Sequence, residues 1–413
     1  MSPSGAEDAC NRPCGAAAAT AEPPRRVLMI APTPFFADRG CHVRIYEELH
    51  ELSRRGHAVE LCTYHHGGEA PGVVTRRIPR IPWYRKLEAG PSWHKLYLDL
   101  LLLILVIRRA WKFRPDVLYA HLHEGAFIGY FASKLFRLPL IFDYQGSLAG
   151  EILDHGFVPR SSLRHRLFQR VEAWIEKRAD VAVANGAAAA ERMRQKNTFR
   201  GPIVTVCDAV DPAVFRPLPR DPLLRSRLGI PEGRRVVAFL GLLNAYQGVD
   251  ALLEAAVAVV RRKPDTHFLI MGYPHVEVYE KRAADLGITP HVSFPGRVPY
   301  FDAAAYLALA DVAVAPKLSA SEANGKVLNY MACSLPVVVF DRPVDREILG
   351  DAGVFAPRGD TEALADLLLE LLADNGRCLR LAQKGRERID NQFSWHRVGA
   401  ELERTIELAL ALQ

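Results

Sequence analysis

A chain of 413 residues is too long for one ordinary core, so two domains are the default. The composition, 49% hydrophobic and 24% charged, is that of a soluble globular protein. The 7 cysteines are scattered and odd in number, which suits reduced thiols better than a disulfide framework.

Residues 1–24, rich in Ala and Pro, lack both a basic start and an apolar core, and read as a disordered extension rather than a signal peptide. "RVLMIAP" then reads as a strand ending in a polar turn with Arg39 and Gly40. An amphipathic helix through "HVRIYEELHELSRRG" and the strand "HAVELCTY" follow. Residues 76–95, "RRIPRIPWYRKLEAGPSWHK", interleave basic side chains with Trp83, Tyr84 and Trp93, a composition that suits an anionic membrane surface. Nucleic acid would also answer to it, but no recognised binding module accompanies it, so none is expected as a partner. A solvated loop is the plain alternative. Residues 96–107 form the longest apolar run, interrupted by Asp99 and short of the about 20 residues that span a bilayer; a buried helix is expected there.

"PDVLYAHLHEG", a helix, "LPLIFDYQGS", a long amphipathic helix and "DVAVAN" continue the alternation of strand and helix. A Pro- and Asp-rich segment, "VCDAVDPAVFRPLPRDP", reads as a linker. The second half repeats the plan through "RVVAFLG", "GVDALLEAAVAVVRR", "THFLIMG", "HVSFPG", "DVAVAPK" and "PVVVF". Such alternation predicts an α/β protein of two doubly wound Rossmann-like domains facing each other across a cleft. The boundaries read as 25–205, a linker at 206–222, 223–394, and a last helix over 395–413. Charge divides the same way: residues 25–200 hold 28 Lys and Arg against 17 Asp and Glu, and residues 201–413 hold 24 against 27.

Ligands of doubly wound sheets bind beyond the carboxyl ends of the strands. Several polar turns fall at those ends: "GLLNAYQG" with Gly241 and Gln247, "MGYPH" with Gly272, "GRVPY" with Arg297 and Val298, and "SEANGKVLNYMA" with Glu322, Asn324, Gly325, Lys326 and Asn329. Lys326 and Asn329 lie three residues apart and share one helix face, while Val327, Leu328 and Met331 can face inward. In the first half His121, and Asp143, Gln145 and Ser147 of "DYQGS", hold the equivalent places. A satisfied strand-end histidine is the plain alternative for His121.

The order and spacing of "DRGCHVRIYEELHELSRRGHAVEL", "PDVLYAHLHEG", "DAVDPAVFRP", "GVDALLEA", "FPGRVPYFDAAAYLALADVAVAPK" and "YMACSLPVVVFD" resemble the family 4 retaining glycosyltransferases (group 1, glycosyltransferase B fold). The resemblance covers about residues 26–400. It implies an acceptor domain first, a donor domain second, and a last helix crossing back to the first. It also implies a nucleotide-sugar donor, a glycan or lipid-linked acceptor, no cofactor and no required metal. A cytoplasmic enzyme, peripheral at the inner face of the membrane and building a bacterial cell-surface glycan or lipopolysaccharide, would fit. By the same resemblance His121 contacts the donor sugar. Asp143, Gln145 and Ser147, at the next strand end, read as lining the acceptor side, with Arg39 and Gly40 in the first turn, and Glu322, which is extra to the family pattern, is expected to approach the sugar hydroxyls.

The departures are informative. The family's Arg and Lys for the donor diphosphate align with Leu242 or Leu243 and with Gln247, and its paired glutamates align with Ser321 and Asn329. The expectation is that the lost cation has moved to Lys326, beside the amide of Gly325, with Asn329 on the ribose. No pair of carboxylates is placed for double displacement, so same-face attack assisted by the donor phosphate fits better. A catalytically silent scaffold and a nucleotide-sugar 2-epimerase are the alternatives.

Overall fold

The computed structural model describes residues 23–37, 40–85, 93–147, 163–319 and 323–413. The chain divides into two compact units, Met1–Asp208 with Trp395–Gln413, and Ala209–Ser394.

In the first unit β1 (Arg26–Ala31) leads into α1 (Gly40–Arg54), β2 (Ala58–Thr63) and β3 (Thr75–Arg77). There follow α2 (His94–Phe113), β4 (Val117–His121), α3 (Leu122–Phe136), β5 (Leu140–Tyr144), α4 (Leu163–Glu176), β6 (Val181–Ala184), α5 (Ala187–Lys196) and β7 (Ile203–Thr205). The strands pair in parallel in the order β3-β2-β1-β4-β5-β6-β7. β4, β5 and β6 are buried along their whole length, as strands covered on both faces must be. The strand order reverses between β1 and β4, so the carboxyl ends of these two flank the switch point.

α2, α3, α4 and α5 all belong to crossovers running in one direction along the sheet, and right-handed connections place them on one face. α1 and α14 (Trp395–Ala411) pack against each other. Arg25 and Arg55 pair with Glu407 and Glu403, each at 2.7 Å. Gly399 admits the close approach, since a Cβ there would come within 2.5 Å of Arg55 Nε and Glu51 Oε1.

The second unit contains α6 (Pro222–Arg227), β8 (Arg235–Leu240), α7 (Val249–Arg262), β9 (Thr266–Met271), α8 (Val276–Asp285) and β10 (Val292–Gly296). It continues through α9 (Ala303–Leu307), β11 (Val312–Ala315), α10 (Lys326–Ala332), β12 (Val337–Phe340), α11 (Pro343–Leu349), β13 (Gly353–Ala356), α12 (Thr361–Ala373) and α13 (Asn375–Asn391). Its strands are parallel in the order β10-β9-β8-β11-β12-β13, with the reversal between β8 and β11. The α/β class with two doubly wound sheets is therefore as the sequence predicts. Apolar faces of α7 and α12 close the core over β8, β9, β11 and β12.

The 96–107 run is helical but only partly buried. Leu98, Leu102 and Val106 point to the core while Leu96, Leu100 and Ile104 lie exposed. An apolar residue at nearly every position gives the helix two apolar stripes, and one helix can bury only one of them against a sheet. No helix among the described residues is long and apolar enough to cross a membrane.

Candidate functional site

At the switch point of the first sheet, α1 and the ends of β4 and β5 converge on a buried ionic cluster. Arg44, on the inward face of α1, reaches Glu48 at 2.8 Å, Asp143 at 3.1 Å and Asp208 at 2.7 Å. His121 closes β4 and sets its Nδ1 2.9 Å from Asp143 Oδ2. The Gln145 amide donates to the same carboxylate oxygen at 2.7 Å. Burial opposes ionisation of Asp143, but the Arg44 guanidinium and the His121 ring hold its carboxyl well below the usual carboxylate range. Burial, with Asp143 and Asp208 close by, drives Glu48 well above it, against the pull of Arg44. Since Asp143 is ionised, Nδ1 of His121 is the donor in that bond. Nε2 is buried and has no hydrogen-bond partner among the described residues.

Glu48, His121 and Asp143 each offer a ligand atom within 4.8 Å of the others, the spacing of a metal site. The guanidinium of Arg44 already sits on both carboxylates, so the cluster supplies its own cation. A second set, His123, Glu172 and Glu176, is likewise answered by Lys196, 2.8 Å from both glutamates.

In the second sheet the switch point gathers β8, β11 and the start of α10. Lys326 donates from Nζ to Gln247 Oε1 at 2.7 Å and lies 4.2 Å from the centroid of the Phe239 ring. A Cβ on Gly241 would stand 2.4 Å from that ammonium, so the glycine makes room for it. Gly272 is equally constrained: a Cβ there would meet Gly241 O at 1.8 Å. The buried Tyr330 on α10 accepts from Leu240 N–H at 2.7 Å, which fixes the short helix to the end of β8. Val327, Leu328 and Met331 are buried, as the pattern predicts.

Asn324 is turned inward. Its amide donates to Asp345 Oδ1 at 2.7 Å, and Asp345 pairs at 3.0 Å with the buried Arg342. Gly325 is the exposed residue preceding α10, and Asn329 is half-buried. Arg297 is exposed with its guanidinium 5.5 Å from the Tyr273 ring, and Val298 is buried. Gly40 opens α1 with free space where a Cβ would be, and Ser147 hydrogen-bonds Tyr144. Arg39, Ser321 and Glu322 lie outside the described residues.

The structure thus brings His121, Asp143 and Gln145 into one cluster and Gly241, Gln247 and Lys326 into another. Sequence reasoning missed Arg44, Glu48 and Asp208. The signal was present in α1, where Arg44 and Glu48 stand four residues apart, each directly preceding a residue of the apolar stripe Ile45, Leu49 and Leu52. Charges at those positions are carried into the interior with the stripe.

Two doubly wound sheets with polar clusters at both switch points are the architecture of the glycosyltransferase B enzymes. "Glycosyl transferases group 1" matches residues 221–388, and "Glycosyl transferase 4-like domain" matches residues 39–209. The chain belongs to the group 1, family 4 glycosyltransferases, and it is a glycosyltransferase. A D-inositol 3-phosphate glycosyltransferase of Saccharomonospora viridis is 28% identical over 388 residues, 87% of this chain and 86% of that protein. A GDP-mannose-dependent alpha-(1-6)-phosphatidylinositol monomannoside mannosyltransferase of Mycolicibacterium smegmatis is 31% identical over 188 residues, 43% of this chain and 49% of that one. Among solved structures, sucrose-phosphate synthase from Thermosynechococcus elongatus superimposes with a TM-score of 0.80 at 17% identity, covering 94% of this chain and 100% of that one. HepE of Anabaena, solved in complex with UDP-glucose, does so with a TM-score of 0.74 at 17% identity, covering 93% and 99%.

Proposed function

We propose that the enzyme transfers a sugar from a nucleoside-diphosphate donor, with retention of anomeric configuration and without a metal, to a glycan or lipid-linked acceptor of the cell surface. One observation carries this reading: the ammonium of Lys326 stands at the switch point of the second sheet, against Gly241 and Gln247. Breaking the glycosidic bond to a diphosphate loads negative charge onto the leaving group, and a fixed cation at its phosphate stabilises that charge most as it forms. Lys326 takes this role in place of the family's Arg and Lys pair. Asn329, on the same face of α10, reaches the ribose.

His121 orients the sugar. Asp143 holds its Nδ1–H, and the remaining ring nitrogen accepts from a substrate hydroxyl. Arg39, Gly40, Gln145 and Ser147 border the acceptor, and Glu322 meets the sugar hydroxyls. Asn324 acts indirectly, by anchoring the chain before α10 to Asp345.

The names of the relatives put inositol phosphates and phosphatidylinositol mannosides among the acceptors to try. The test is incubation with UDP-, GDP- and ADP-sugars in the presence of chelator, with the product anomer read by NMR. An inverted product, or turnover that requires added divalent metal, would overturn the mechanism. Absence of both transfer and donor hydrolysis with every donor would favour a silent scaffold.

A further inference from the structure

We propose that the outer face of α2, α3 and α4 is a docking surface for a bilayer containing acidic lipid. The three helices lie side by side on one face of the first sheet, and α3 packs against both of the others. Each carries an apolar row that faces solvent. On α2, Leu96, Leu100 and Ile104 are 79%, 57% and 47% exposed, opposite the stripe that packs on the sheet. On α3, Phe127, Phe131 and Leu135 repeat every four residues, at 40%, 42% and 61%. On α4, the Trp174 ring lies tilted against Phe127, centroids 5.8 Å apart, and so joins the second row to the third. Together they form one wide apolar patch, where a monomeric surface ordinarily scatters such residues singly.

The charges select the occupant. Every acid described on these helices is turned inward and engaged. Asp99 accepts from Tyr64, Glu124 pairs with Lys95 at 2.7 Å, and Glu172 and Glu176 pair with Lys196. Among the described residues of the three helices, the exposed charged side chains are Arg108, Lys112, Lys134, Arg166 and Arg170, all basic. Arg178, just beyond α4, lays its guanidinium 3.4 Å from the Trp174 ring centroid. Apolar and aromatic side chains among cations with no exposed acid match the interface of an anionic bilayer. A nucleic acid would not reward rows of Leu and Phe.

The surface differs from the 76–95 segment that composition singles out. Arg76 is paired with Glu60 at 2.8 Å, and Arg77 donates to the carbonyls of Tyr64, His66 and Gly68. Lys95 is held by Glu124, and Tyr84 is buried. Those arginines serve the fold, so replacing them would report on stability as much as on lipid.

The experiment is co-sedimentation of the full chain with vesicles of phosphatidylcholine alone and of phosphatidylcholine with phosphatidylglycerol, across a salt series. Wild type should bind the acidic vesicles, and binding should weaken with salt. The triple variant Arg108→Glu, Lys134→Glu, Arg170→Glu should lower partitioning by about a hundredfold or more, the loss expected from three surface cations. The variant Leu100→Ser, Ile104→Ser, Phe131→Ser should remove the salt-resistant part, while Arg80→Glu should leave binding unchanged. Melting temperature and donor hydrolysis without vesicles, measured on each variant, separate lipid binding from folding and from transfer. Equal binding to both vesicle types, binding to neither, or loss with Arg80→Glu alone would overturn the proposal. So would an apolar triple variant that abolishes self-association of a protein that ignores vesicles.

Discussion

Lys326 and Gln247, 79 residues apart in sequence, meet at 2.7 Å beside the end of β8. The resemblance read from the sequence leads one to expect a lysine near position 247, and here the amide at that position accepts a hydrogen bond from a cation carried on a different element.

Lys326→Ala should therefore weaken nucleotide-sugar binding at least tenfold, about 1.4 kcal/mol, through loss of one charge-assisted phosphate contact. Gln247→Ala should weaken it less, because the ammonium remains. Calorimetric titration with the donor that supports turnover measures both. An affinity unchanged in Lys326→Ala would make the lysine a structural partner of Gln247 only.

Arg44→Met should destabilise the first unit by about 3–5 kcal/mol, since it leaves buried carboxylates without their cation. Urea denaturation followed by the fluorescence of the tryptophans reports it. A midpoint equal to that of the wild type would mean that Glu48 and Asp143 are relieved by protonation or by water.

Burial, against the hydrogen bond from Tyr64, pushes the Asp99 carboxyl up to about 6. A carboxyl whose folded pKa is raised contributes most stability below its unfolded value, about 4, and loses that contribution as pH rises through 6. Asp99→Asn removes the titration. The stability of the variant relative to wild type should therefore climb between pH 4 and pH 7, by up to about 3 kcal/mol. A difference that stays flat with pH would place the Asp99 carboxyl at its ordinary value.

Gly272→Ala should lower the melting temperature and, through the displaced Gly241, the donor affinity. A Cβ at 1.8 Å from a carbonyl oxygen must move one strand end or the other. Gly40→Ala, with open space around it, should leave the melting temperature unchanged. Scanning calorimetry of the two variants side by side settles the contrast.

Much of this was legible in the sequence, and for identifiable reasons. Strands such as "RVLMIA" and "VVVF" are short, apolar and bounded by turns, and burial on both faces is their only stable outcome in a parallel sheet. The pairing of Lys326 with Gln247 was half legible: the exchange of residue types suggested a displaced cation, but only the fold brings the two side chains together. The Arg44 cluster was hidden because its members come from α1, β4, β5 and the stretch after β7, and no local period links them. The inward turn of Asn324 was hidden because its partner, Asp345, lies on the next helix. The tie between Arg76 and Glu60 spans neighbouring strands in the same way, and composition alone made those arginines look free.

The return of α14 to α1 has a consequence for biosynthesis. Residues 209–394 form a complete unit of their own, interposed between α14 and the rest of the unit it joins. A ribosome delivers β1 to β7 long before it delivers Trp395, so the nascent first unit waits with the groove along α1 uncovered while a whole second unit is made. Domains form in the order of synthesis where they can. Here the order is inverted at the last step, and the first unit to begin folding is the last to be finished. Until Glu403 and Glu407 arrive, the ion pairs that Arg55 and Arg25 make with them cannot form. A chain ending just before position 395 would never close that unit.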